Sequence, residues 1–137
     1  GLDAARLVLA ELGVPVTEEA LDLPAASAGA AVLVVADTEA GPVGFSALGE
    51  KGKPMEAVAQ APCHELLAWA ARDAAVDEHL ADQLVPLLAL AEGESRWTTW
   101  PVTDHLRTVL EVVKAFYPVE TELVEDATGV GHVRIAR

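Results

Sequence analysis

The residues best suited to chemistry fall between His79 and His105. His105 stands two positions after Thr103, a good helix N-cap, and follows an extended segment ended by Pro101. That spacing predicts a place in the first turn of a helix, where unpaired N–H groups and the positive end of the macrodipole attract phosphate. An imidazole held there is placed to act as a nucleophile toward phosphorus. The plainer reading is a surface or half-buried histidine at a helix start. Asp82 and Gln83 come three and four residues after His79, on adjoining surface of another predicted helix. Pro86 has no amide to offer the carbonyl of Asp82, which leaves that oxygen for a ligand, water or cation. A charged helix face with a tolerated proline accounts for the same spacing.

Other reactive or recognition-prone side chains carry less. Trp97 and Trp100 could stack on bases, as aromatic residues on strands do for single-stranded RNA. Three residues apart on a strand, they point to opposite faces, so at least one belongs to the core. Arg96 beside them could meet a phosphate or simply be solvated. Cys63, His64 and His132 show no zinc spacing, so no protein-ligated metal site is expected. The sequence contains no P-loop, Gly-x-Ser-x-Gly or dinucleotide fingerprint.

Elements must hold these groups in place. Ala5, Val8, Leu9 and Leu12 share a helical face after Asp3, a plausible N-cap, and Gly13 with Pro15 ends that helix. Residues 16–23 are a polar-rich strand candidate, and 31–36 is a β-branched run of the kind found in buried central strands. A turn over 37–42 joins it to a strand at 43–48 as a hairpin, with Phe45 in the second strand. Residues 55–72 have helical composition with Val58, Leu66, Leu67 and Trp69 apolar. Pro62 makes that helix either kinked or late in starting, near Ala61.

Asp77 then reads as the N-cap of a helix whose core stripe is Leu80, Leu84, Leu87, Leu88 and Ala91. On that reading His79, Asp82 and Gln83 face away from the core. Strands at 96–100, 119–124 and 132–136 and a helix at 103–116 complete the prediction. The expected fold is α+β, with two small lobes, each of helices packed on a mixed β-sheet. The first lobe covers 1–73 and the second 74–137.

The 137 residues are 52% hydrophobic but only 4% aromatic, which predicts an aliphatic core. Apolar runs at 30–36 and 84–91 fall far short of the ~18 residues that span a bilayer, so no membrane partner is expected. The start lacks a secretory-signal pattern, and one cysteine suits a reducing compartment, which points to the cytoplasm. The net charge of −13 is unevenly spread: residues 1–94 carry 16 acidic and 4 basic side chains, residues 95–137 carry 6 and 5. Only the second stretch would not strongly repel phosphates, so a basic path for RNA must come mostly from elsewhere.

The segment Asp-Glu-His-Leu-Ala-Asp-Gln-Leu from Asp77, followed by Glu-Ser-Arg-Trp-Thr-Thr-Trp-Pro-Val-Thr-Asp-His-Leu from Glu94, resembles the C-terminal part of the RNA 3'-terminal phosphate cyclases. The resemblance implies that His105 is the nucleophile that takes AMP from ATP. It implies that Asp82 and Gln83 line the nucleotide pocket, with His79 where many members carry a tyrosine. Phe45 matches an aromatic residue near the nucleotide; a hairpin core residue is the equal alternative.

By the same resemblance the cofactors are ATP and a divalent cation, magnesium or manganese, and the partner is an RNA 3'-phosphate end. Family chains are more than twice as long, so the missing N-terminal portion of the same enzyme is a further partner and the segment alone is expected to be inactive. Many members continue Leu-Leu-Thr-Asn after the nucleophile, where this chain has Leu106, Arg107, Thr108 and Val109. Noncatalytic cyclase-like proteins of RNA processing or assembly are the alternative, and they lack the histidine.

Overall fold

Ala5, Val8 and Leu9 bury one side of the first helix, α1 (Leu2–Leu9), as their spacing requires. The computed structural model describes residues 1–39 and 41–137, which divide into two units, Gly1–Ala68 and Trp69–Arg137. In the first unit, Gly1 and not Asp3 occupies the N-cap of α1, and Asp3 lies within the first turn, where its charge still suits the macrodipole. A 3-10 turn, Ala10–Leu12, ends on Gly13 at φ 64°, a left-handed conformation that glycine adopts without a Cβ penalty. Residues 16–23 are not a strand. They run irregularly between Pro15 and Pro24, and Glu18 is held by the Arg6 guanidinium through two 2.9 Å bonds.

β1 (Ala31–Thr38) and β2 (Gly41–Leu48) form an antiparallel hairpin with Ala31 opposite Leu48. The expected turn at 37–42 includes Ala40, which lies outside the described residues. Thr38 donates its hydroxyl to the Gly41 carbonyl at 2.6 Å. β1 is not a buried central strand: Leu33 and Val35 are exposed, whereas Val32, Val34 and Ala36 are half-buried. Among the described residues it pairs only with β2, and a two-stranded ribbon shields one face at most.

The next helix, α2 (Met55–Ala70), starts ahead of Pro62 and runs through it, contrary to a late start at Ala61. Proline removes one amide donor without ending the helix, and Pro62, Val58, Cys63 and Leu66 are all buried along it. Burial raises the Cys63 thiol pKa, and its S–H donates to the Ala59 carbonyl at 3.2 Å.

The second unit is an α+β layer structure. Strands β3 (Glu94–Thr99), β4 (Glu120–Glu125) and β5 (Gly131–Ala136) form an antiparallel sheet in the order β3-β5-β4, with Arg96 and Glu122 both opposite Arg134. Val76 adds one parallel bridge to Thr99. Helices α3 (Glu78–Leu88) and α4 (Asp104–Phe116) contribute Ala81, Val85, Leu106, Leu110 and Val113 to a core completed by Ala89, Val119, Val133 and Ile135. Each fully buried aliphatic side chain of this kind stabilises the fold by about 1.5–3 kcal/mol. Strand alternation sends Arg96, Thr98, His132 and Arg134 to the opposite face of the sheet.

The stripe expected on α3 is displaced by one position. Ala81, Val85 and Ala89 are fully buried, Leu84 and Leu88 only partly, and Leu80, Leu87 and Ala91 are exposed. The buried line of α3 that joins the core shared with α4 and the sheet is made by Ala81, Val85 and Ala89 rather than by the leucines. Asp82, directly after Ala81, is thereby carried to the seam between the helices instead of the free face.

Candidate active site

Two capped helix starts build the site. Asp77 accepts from the amides of His79 at 2.8 Å and Leu80 at 2.9 Å, satisfying two first-turn donors of α3. Asp77 is itself buried, and its carbonyl accepts the Thr99 hydroxyl at 3.3 Å, tying the start of α3 to the end of β3. The Thr103 hydroxyl oxygen accepts from the Leu106 amide at 3.1 Å and caps α4. Leu106, fully buried, then fixes how α4 is rotated, and the residue before it, His105, emerges at the edge of the core.

There the ring meets Asp82. His105 Nδ1 lies 2.7 Å from Asp82 Oδ2. The histidine side chain is 71% exposed and the aspartate only 13%, so an anchored carboxylate holds an accessible imidazole. Sequence spacing does not bring these two groups together, because 23 residues and a whole strand separate them.

The other expected site residues are distributed differently. Gln83 and His79 are exposed on α3, and His79 Nε2 stands 3.8 Å from Glu78 Oε1. Phe45 is half-buried on β2 of the other unit. Beyond the helix start, Thr108 donates its hydroxyl to the Asp104 carbonyl at 2.8 Å, and Arg107 pairs with Glu125. Trp97 packs partly buried against the core, and the Arg72 guanidinium lies over the Trp100 ring, 5.0 Å from its centre. Arg96 is engaged by Glu94 at 2.5 Å; the Arg96 and Arg134 guanidiniums together hold the Glu94 carboxyl below its ordinary range.

The RNA 3'-terminal phosphate cyclase family model matches residues 10–123, which include both helix starts. The chain belongs to that family. It is 40% identical over 131 residues to the RNA 3'-terminal phosphate cyclase of Methylococcus capsulatus, covering 96% of this chain and 36% of that relative. To the cyclase of Halobacterium salinarum it is 42% identical over 101 residues, 73% of this chain and 29% of that one. To that of Pyrococcus furiosus it is 35% identical over 134 residues, 98% and 39% of the two chains. This cyclase-family chain thus spans 29–39% of the length of these curated relatives. No helix among the described residues is long and apolar enough to cross a membrane.

Proposed function

We propose that this chain is part of a cytoplasmic, ATP-dependent RNA 3'-terminal phosphate cyclase and that His105 is its AMP acceptor. The observation that carries the reading is an exposed imidazole in the first turn of a capped helix, anchored on Asp82 at 2.7 Å, in a chain of this family. His105 attacks the α-phosphorus of ATP, forming a nitrogen–phosphorus bond as pyrophosphate leaves. An oxygen of the RNA 3'-phosphate then takes AMP from the histidine. The neighbouring 2'-hydroxyl attacks the RNA phosphorus, closing the 2',3'-cyclic phosphate and releasing AMP.

The first-turn amides of α4 favour a phosphate beside the ring. Gln83 and His79 supply contacts to the nucleotide from α3. A divalent cation, magnesium or manganese, would screen the phosphates. Among the described residues no group of three or more acidic, histidine or cysteine side chains is arranged to hold one, so no step is assigned to the ion through this chain.

The chain is a third or so of its relatives' length, and its acidic first stretch disfavours phosphate, so the 137 residues alone are inactive in this reading. A protein of the family's full length carrying this segment, incubated with labelled ATP, is expected to form an acid-labile, hydroxylamine-sensitive adduct that His105→Ala abolishes. An undiminished adduct in the variant removes His105 as nucleophile. No adduct in the parent protein turns the reading to a noncatalytic cyclase-like component.

A further inference from the structure

We infer that Gly131 is a positioning residue for AMP transfer, acting through Val102: the space left by its missing side chain seats the loop that caps α4 and leads to His105. This deepens the reading of His105 as nucleophile and rests on it. Gly131 opens β5, paired with Thr99 of β3 on one side and Glu125 of β4 on the other. It is buried, and it does not share the positive φ of Gly13, Gly41, Gly52, Gly93 and Gly129, so backbone conformation does not demand glycine there.

What demands it is space. A Cβ on Gly131 would lie inside the van der Waals surface of Val102 Cγ2, with Leu123 Cδ1 at 3.2 Å and Thr99 Cγ2 at 3.4 Å. Side chains from β3, β4 and the loop before α4 thus close over the bare Cα. Val102 and Leu123 are themselves packed against the core, and a β-branched valine has little rotamer freedom with which to withdraw. A methyl added at Gly131 is therefore relieved by moving the Val102 backbone.

That backbone leads straight into the site. Val102 is bonded to Thr103, whose hydroxyl oxygen accepts from the Leu106 amide at 3.1 Å, and His105 lies between the two ends of that bond. The far end of the loop is held, because the Arg72 guanidinium lies over the Trp100 ring, 5.0 Å from its centre. Leu106 is fully buried and fixes α4 beyond the loop. Displacement of Val102 falls on the residues between, and a reacting group misplaced by about 1 Å loses about 100-fold in rate.

Two measurements test this. In the 137-residue chain, Gly131→Ala should shift the amide resonances of Thr103, Asp104 and His105 while those of Val113 and Ile135 stay in place. In a Val102→Ala background, where Cγ2 is gone, the same methyl should leave all of them in place. In a protein of the family's full length carrying this segment, Gly131→Ala should slow AMP-adduct formation per folded molecule by about 10- to 100-fold, with KM for ATP roughly unchanged. The double variant should recover to within about 3-fold of Val102→Ala alone.

A Gly131→Ala protein with the parent rate per folded molecule, or a loss that Val102→Ala does not repair, overturns the inference. Should Gly131→Ala not fold by itself, Val102→Ala and the double variant carry the test: a further loss of about 10-fold between them means that the methyl does not act through Val102. An adduct that survives in His105→Ala overturns the nucleophile reading while the resonance shifts stand, so the two failures are told apart.

Discussion

The two units divide the same apolar composition in different ways. In the second, both helices and the three-stranded sheet close on one core, and Leu106, Val85 and Ile135 are almost fully buried. In the first, the hairpin leaves Leu33 at 68% and Leu48 at 71% exposed, and the irregular stretch before it exposes Val14, Val16, Leu21 and Leu23. A sheet with three strands and two helices on one face can exclude water from alternate side chains; a ribbon of two strands cannot. The candidate site lies on the second unit, where first-turn residues are held by buried neighbours one position away.

Were the two units equally well packed, truncating a leucine in either would cost the same. Leu106→Ala is expected to destabilise the second unit by about 2–5 kcal/mol, the range for deleting a core leucine. Leu33→Ala, exposed on β1, should stay within about 0.5 kcal/mol. Denaturant unfolding of both variants checks this, and equal losses would erase the distinction.

The helix starts differ in the same sense. α4 is capped by the Thr103 hydroxyl, whereas α1 starts at Gly1 with no side-chain cap. Thr103→Ala should therefore cost about 1 kcal/mol. Because that hydroxyl also orders the turn bearing His105, amide exchange at Leu106 should quicken more than at Leu110. Unaltered exchange at Leu106 would mean that packing alone sets this turn.

The smallest expected effect separates the two hairpins by pH. The β1–β2 hairpin carries a hydroxyl-to-carbonyl bond, which has no titrating group. Asp126, after β4, accepts from the Thr128 hydroxyl and amide and from the Val130 amide, with His132 at 3.3 Å. These bonds, the Thr128 hydroxyl foremost, lower its pKa from 3.8 to about 2. A lowered carboxyl pKa contributes stability above its unfolded value, and the contribution fades as pH falls from about 4 toward 2. Carboxyl NMR of Asp126 should report that midpoint, and a midpoint near 3.8 would mean that the carboxylate does not close the turn.

The elements that local physics governs were legible in the sequence. Asp77 and Thr103 were readable as caps because a cap depends on a side chain meeting amides two or three residues away. The strands expected at 119–124 and 132–136 correspond to β4 and β5, with bounds that differ by at most one residue. Residues 16–23, a polar-rich strand candidate in the sequence, run irregularly instead, between two prolines and with Glu18 held by Arg6.

By itself, the sequence determined the α+β class, the helix that begins at Thr103 and the placing of His105 in its first turn. Those follow from propensity, capping and spacing, which act over a few residues. Only the tertiary structure decided which side of α3 is buried, because Leu80 and Leu87 are more hydrophobic than Ala81 and Ala89 yet the alanines face inward. That rotation depends on how closely two helices pack, a property of the pair that neither helix encodes alone. It also brings Asp82 within 2.7 Å of a histidine 23 residues away.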